Sequence, residues 1–208
     1  MRTIHVKSSA GFCEKNTGFT LIELLVAVAV SSIVLLAVGQ FFISTNKANT
    51  IQEKVAETQQ GIRAAMEMMA RDIRMAGLNP EGSAEDAGFA NDSSNDDETD
   101  VNSISIRYDY DGDGSCEVDV CYHHDSDDEE LVLRRGGATE PLTELATITS
   151  LNFEYTLSND TTTSNPSDDE LSKIKKVDIT ICGTITGAYS EDLKNDLCFT
   201  KSVKTRNL

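Results

Sequence analysis

The chain has 208 residues, and 35 Asp and Glu against 18 Lys and Arg give it a formal net charge of −17. So acidic a surface repels phosphate backbones and anionic lipid heads, which argues against direct nucleic-acid binding. The length allows one ordinary soluble domain beside a membrane helix, and no fixed-period repeat runs through it.

Residues 1–18 carry Arg2, Lys7 and Lys15 but lack the apolar core that precedes the cleavage site of a secretory signal. The apolar stretch comes afterwards. Across residues 21–43 the polar side chains are Glu23, Ser31, Ser32 and Gln40, and a helix of that length crosses a hydrocarbon core of about 30 Å. The cations before it favour a cytoplasmic leader. Glu23 is costly in hydrocarbon, so it calls for a cationic partner or a functional reason.

Helical spacing continues through Ile51, Val55, Ile62, Met66, Met69, Ile73 and Ala76, which predicts one helix from Phe19 to about Ala76 whose second half needs a soluble layer over its apolar stripe. Gly77, with Asn79-Pro80 just beyond, reads as its C-terminal stop. Residues 81–103 are polar and small and read as a solvated loop. Strand-like alternation then recurs at Ile104, Ile106 and Tyr108; at Val118, Val120 and Tyr122; at Leu131 and Leu133; at Leu151, Phe153, Tyr155 and Leu157; at Val177, Ile179 and Ile181; and at Leu197, Phe199 and Val203. Residues 158–172 read as a second polar loop. The expected fold is α+β: a long N-terminal helix, transmembrane in its first half, packed on a mainly antiparallel β-sheet head. Its divisions are 1–18 (leader), 19–43 (membrane helix), 44–77 (amphipathic continuation) and 78–208 (head).

No nucleophile, acid–base or cofactor constellation stands out, so no enzyme is expected and no cofactor is required. His123-His124 reads as a surface pair, because no further Cys or His sits at ligand spacing. Asp109, Asp111 and Asp113, each followed within two residues by the next carboxylate or a glycine, place oxygens at positions 1, 3 and 5 of a candidate calcium turn. Position 12 is Val120, so Glu117 or Asp119 would have to complete the shell; the alternative is an acidic turn without an ion. Cys13 lies in the leader, leaving Cys116, Cys121, Cys182 and Cys198, an even count that favours disulfides in an exported protein. Cys182 and Cys198 both alternate with the apolar residues of their strands, so antiparallel pairing would join them. Cys116 and Cys121 would stand about 17 Å apart in one straight strand at ~3.3 Å per residue, and bond only if the chain turns between them.

Gly18-Phe19-Thr20-Leu21-Ile22-Glu23, opening the apolar segment, resembles the prepilin signature shared by type IV pilins and type II secretion pseudopilins. Residues 70–77, Ala-Arg-Asp-Ile-Arg-Met-Ala-Gly, look like the helix end of PilW-type minor pilins, and residues 150–155 and 203–207 are similar to their late strands and C-terminal end. The resemblance implies cleavage by a membrane peptidase between Gly18 and Phe19, N-methylation of Phe19, and pairing of Glu23 with the N-terminal amine of a neighbouring subunit. It implies other pilins, minor pilins and inner-membrane assembly machinery as partners, with the precursor single-pass in the inner membrane, its head in the periplasm, and the mature protein in a pilus at the cell surface. The helix-breaking proline of many filament-forming members is replaced here by Gly39-Gln40. The expected function is a minor pilin that primes or joins a type IV pilus; the alternatives are a minor pseudopilin and a calcium-dependent adhesin head at a pilus tip.

Overall fold

Thr20 precedes a helix, α1, that runs unbroken over Leu21–Met75, 55 residues. The structure is a computed structural model describing residues 18–91, 98–116, 118–143, 146–185 and 197–208. The chain divides into two units, residues 1–49 and 50–208. In the described part of the first unit every residue is solvent-exposed, including its leucines, isoleucines, valines and phenylalanines.

In the second unit α1 becomes amphipathic, and its stripe is buried from Thr58 onward: Ile62, Met69 and Ile73 are wholly inaccessible and Met66 nearly so. These positions lie three and four residues apart, the spacing that stacks side chains on one helix face. Gly77 ends the helix at φ +76°, a left-handed conformation that costs a residue with a β-carbon about 1–2 kcal/mol.

The stripe is covered by two antiparallel sheets. The first has five strands in chain order, β1 (Gly88–Phe89), β2 (Ser103–Tyr108), β3 (Val118–Asp125), β4 (Glu130–Arg135) and β5 (Ala138–Pro141). The second contains β6 (Ala146–Leu157), β7 (Thr162–Thr163), β8 (Ile174–Ile185) and β9 (Leu197–Lys204) in the order β7-β6-β8-β9. Register brings apolar residues together on the inner faces: Ile104 lies opposite Tyr122, Ile106 opposite Val120, Leu151 opposite Ile181 and Phe153 opposite Ile179. A register shift between Ile148 and Ser150 allows Ile148 to join Leu151, Phe153 and Tyr155 in the core.

The edge of β6 is tied to segments flanking the first sheet's strands: Ile148 N–H donates to Glu129 O in the β3–β4 turn at 2.7 Å, and Phe153 N–H to Val101 O just before β2 at 2.8 Å. Backbone polar groups that would otherwise lie buried at that seam are thereby satisfied. A short helix, α2 (Asp168–Leu171), is held by a reciprocal capping box between Ser167 and Glu170. Residues 81–103 and 158–172 are thus not continuous loops: the first contains β1, the second β7 and α2. Strands of two residues and a helix of four are too short for periodicity to register.

Candidate functional site

The N-terminal site begins with Gly18 and Phe19, both exposed and ahead of the helix. Thr20 and Glu23 form a capping box: the Thr20 N–H and hydroxyl each donate to Glu23 Oε2 at 2.9 Å, and the Glu23 N–H donates to Thr20 Oγ at 3.3 Å. Threonine at the cap and glutamate three residues on satisfy helix-end donors that have no intrahelical acceptor. A carboxylate offers about four lone-pair sites, so Glu23 retains capacity for a second, cationic partner. Behind it the exposed apolar surface of residues 21–43 spans about 34 Å at ~1.5 Å per residue, and α1 is long and apolar enough to cross a membrane by length and composition. The Ser32 hydroxyl donates to Val28 O at 2.8 Å, which satisfies it within the helix.

In the head, the turn between β2 and β3 gathers Asp109, Asp111 and Asp113, with one carboxylate oxygen of each within 4.8 Å of the others. Asp109 is buried and accepts from the N–H groups of Gly112, at 2.6 Å, and Gly114, at 3.1 Å. Asp111 accepts from Asp113 N–H at 3.1 Å, and Asp113 from Ser115 N–H at 2.9 Å. Gly112 holds φ +85°, and a β-carbon there would meet the Glu81 side chain at 3.0 Å. Each carboxylate therefore braces backbone N–H groups two to five residues further along the turn. Glu117 lies outside the described residues. Asp119 is absent from the cluster: it sits on β3 opposite Arg107 and forms an ion pair with it, Nε to Oδ2, at 3.3 Å.

The other expected residues divide in the same way. Cys182 and Cys198 occupy directly paired positions on β8 and β9 and are joined as a disulfide, with Cα atoms 4.1 Å apart. The bond between Cys116 and Cys121, which required a turn of the chain between them, does not form: both are thiols. β3 is already extended from Val118 through Cys121, so the chain makes no turn between Val118 and Cys121 that could bring the two sulfurs together. Cys121 is buried opposite Ser105, and burial pushes its thiol up to about 12. His124 is not a bare surface residue. It is half-buried, its Nε2 2.8 Å from Ile148 O, which links β3 to β6.

Two family models match. The prokaryotic N-terminal methylation motif covers residues 14–39, and prepilin peptidase-dependent protein B covers residues 52–200. The chain belongs to the prepilin peptidase-dependent protein B family. No curated protein matches it. This family member is a type IV prepilin-like protein with an α+β, pilin-like architecture, and the two matches imply processing by prepilin peptidase and pilin assembly. Its matched families are structural rather than enzymatic, and the apolar helix with the methylation motif fits membrane anchoring as a precursor.

One structural pair in this prepilin-like chain escaped sequence reasoning. Asp72 of α1 is 1% exposed and accepts from the Tyr122 hydroxyl of β3 at 2.6 Å. Arg71 Nε lies 3.6 Å from its other oxygen, and Arg135 Nη2 lies 4.0 Å from the oxygen bonded to Tyr122. Burial, and then the bond to Asp72, push the Tyr122 hydroxyl well above the usual phenol range. A signal existed: Asp72 stands three residues after Met69 and next to Ile73, within the spacing of the buried stripe.

Proposed function

We propose that the protein is a PilW-like minor pilin that primes or joins a type IV pilus. Prepilin peptidase cuts between Gly18 and Phe19, and the new amino group of Phe19 is methylated. The precursor stands single-pass in the inner membrane with its head in the periplasm. Assembly then moves it among other pilins into a filament at the surface, with the inner-membrane machinery as a transient partner. The observation that carries this reading is the exposed apolar half of α1 opening on one carboxylate, Glu23, that is ordered by Thr20. In a filament that surface packs against neighbouring helices, and Glu23 meets the amine of the next subunit.

Mass spectrometry of the mature N-terminus tests the processing step, with N-methylated Phe19 as the expected first residue. A product still beginning at Met1 would refute it. A minor pseudopilin of type II secretion would share this architecture, and deletion of the gene separates the two: loss of surface pili supports the first, loss of secreted exoproteins with pili intact supports the second.

The convergence of Asp109, Asp111 and Asp113 favours one further reading, weak calcium binding by an adhesive head. Clustered carboxylates repel one another, so an ion that binds the folded turn raises the melting temperature. Thermal unfolding of the full chain in millimolar calcium should exceed that in magnesium or chelator, and Asp111→Asn/Asp113→Asn should abolish the difference. Equal melting in all three solutions identifies an acidic turn without an ion.

A further inference from the structure

β9 is the outermost strand of the second sheet: it pairs with β8 on one side and, among the described residues, with no strand on the other. Thr205 N–H donates to Lys175 O of β8 at 3.2 Å, and the register runs from Lys204 opposite Lys176 to Leu197 opposite Gly183 without a shift. By the two-residue period the backbone groups of Leu197, Phe199, Lys201 and Val203 therefore face β8, and those of Cys198, Thr200, Ser202 and Lys204 face outward. The 4.1 Å between the Cα atoms of Cys182 and Cys198 agrees with this, since the closer pairs of an antiparallel ladder are those that exchange no backbone bond. All four outward residues are exposed, and none of their backbone groups has a hydrogen-bond partner among the described residues. Proteins blunt such edges with proline, bulges, shortness or charge. β9 is eight residues long with no proline and no bulge, so its guard is charge. Residues 197–208 contain Lys201, Lys204 and Arg206 and no carboxylate side chain, in a chain of net charge −17. Lys201 is engaged by Glu67, whereas Lys204 and Arg206 are exposed and have no carboxylate partner among the described residues. On the inner face Leu197 and Phe199 are half-buried, with Arg63 over the Phe199 ring, 5.4 Å from its centroid.

We propose that the outer edge of β9 binds an extended, acidic segment of another protein by strand addition. The segment's backbone bonds to the outward groups of Cys198, Thr200, Ser202 and Lys204. Its carboxylates meet Lys204 and Arg206 on the outer face, and its alternate, apolar residues extend the inner row of Leu197 and Phe199. Main-chain bonds give such a complex affinity, and the alternating side chains give it selectivity. Charge complementarity decides the occupant: two uncompensated cations at the end of the edge repel a basic strand and attract an acidic one. The negative charge of the rest of the surface does not cancel this preference, because charges separated by more than about 8 Å are largely screened at physiological salt. The edge lies in the head, so the inference goes beyond assembly through α1 and does not depend on it.

The test is fluorescence anisotropy of the detergent-solubilised full chain with a labelled Glu-Val-Glu-Val-Glu-Val peptide. Its comparators are a Lys-Val-Lys-Val-Lys-Val peptide and the glutamate peptide N-methylated at alternate backbone nitrogens. The glutamate peptide should bind saturably and the lysine peptide should not. Thr200→Pro removes one outward N–H and leaves the bonds to β8 in place, so it should weaken binding at least about tenfold, while Thr200→Ala, which keeps the N–H, should bind as wild type does. Lys204→Gln/Arg206→Gln should also lose about tenfold, and Arg134→Gln on the first sheet should lose nothing. Should Thr200→Pro fail to fold, the methylated peptide decides the matter, because it lacks donors that strand addition uses and should bind at least about tenfold more weakly. Absence of saturable binding overturns the proposal, as does equal binding of the lysine peptide, equal loss in Thr200→Ala or Arg134→Gln, or undiminished binding of the methylated peptide. Sedimentation of the same samples covers a second copy of this chain as occupant: a dimer that Thr200→Pro dissociates, without peptide binding, would overturn the proposal too.

Discussion

Tyr122 and Asp72 meet across the interface between α1 and the first sheet with a 2.6 Å hydrogen bond in a fully enclosed setting. Removing the hydroxyl leaves a carboxylate buried without its closest donor, so Tyr122→Phe should destabilise the head by about 1–3 kcal/mol. Replacing both partners by apolar residues, as in Asp72→Leu/Tyr122→Phe, should recover part of that loss. Denaturant unfolding of the solubilised chain measures both. A Tyr122→Phe protein as stable as wild type would show that the bond contributes nothing net. The pair was hidden because aspartate counts as a polar interruption in a pattern built from apolar residues. The Gly18–Glu23 run and the three carboxylates from Asp109 were legible, because local spacing alone defines them. The fate of Asp119 was not, since its partner Arg107 is brought opposite by strand register rather than by proximity in sequence.

At the level of elements, α1 was readable over nearly its whole length, because one periodicity and one stop signal describe it. Its end is tightly packed. A β-carbon at Gly77 would lie 2.7 Å from Leu208 Cδ2 and 3.0 Å from Asn207 O, on a residue already at positive φ. The Asn207 side chain donates to Arg74 O at 3.2 Å in the same corner. Gly77→Ala should therefore cost at least about 1–2 kcal/mol, the penalty for the left-handed conformation alone, measurable as a lowered melting temperature. An unchanged melting temperature would mean that the helix end relaxes freely. Among the strands, Cys182 and Cys198 were placed on matching faces by alternation, and register puts them side by side. The register shift near Ser150 could not be read from the sequence, since alternation looks intact on either side of it.

For the whole molecule, the sequence predicted an apolar helix stripe and an apolar sheet face that cover each other, and the core contains Ile62, Met69 and Ile73 with Ile104, Tyr122, Phe153 and Ile179. What it missed is the partition of the strands into two sheets. That partition is set by which strands pair, β1 to β5 in one sheet and β7-β6-β8-β9 in the other, which residue type does not announce. The same molecule leaves one half of α1 uncovered while the other half closes its own core. In the proposed function that exposed half drives assembly, with Glu23 as the charge that sets subunit register. The direct measurement is a blot of sheared filaments and of membranes from cells making wild type or Glu23→Ala. The variant should be cleaved and retained in membranes but missing from the sheared fraction. Equal amounts of variant and wild type in sheared filaments would contradict it.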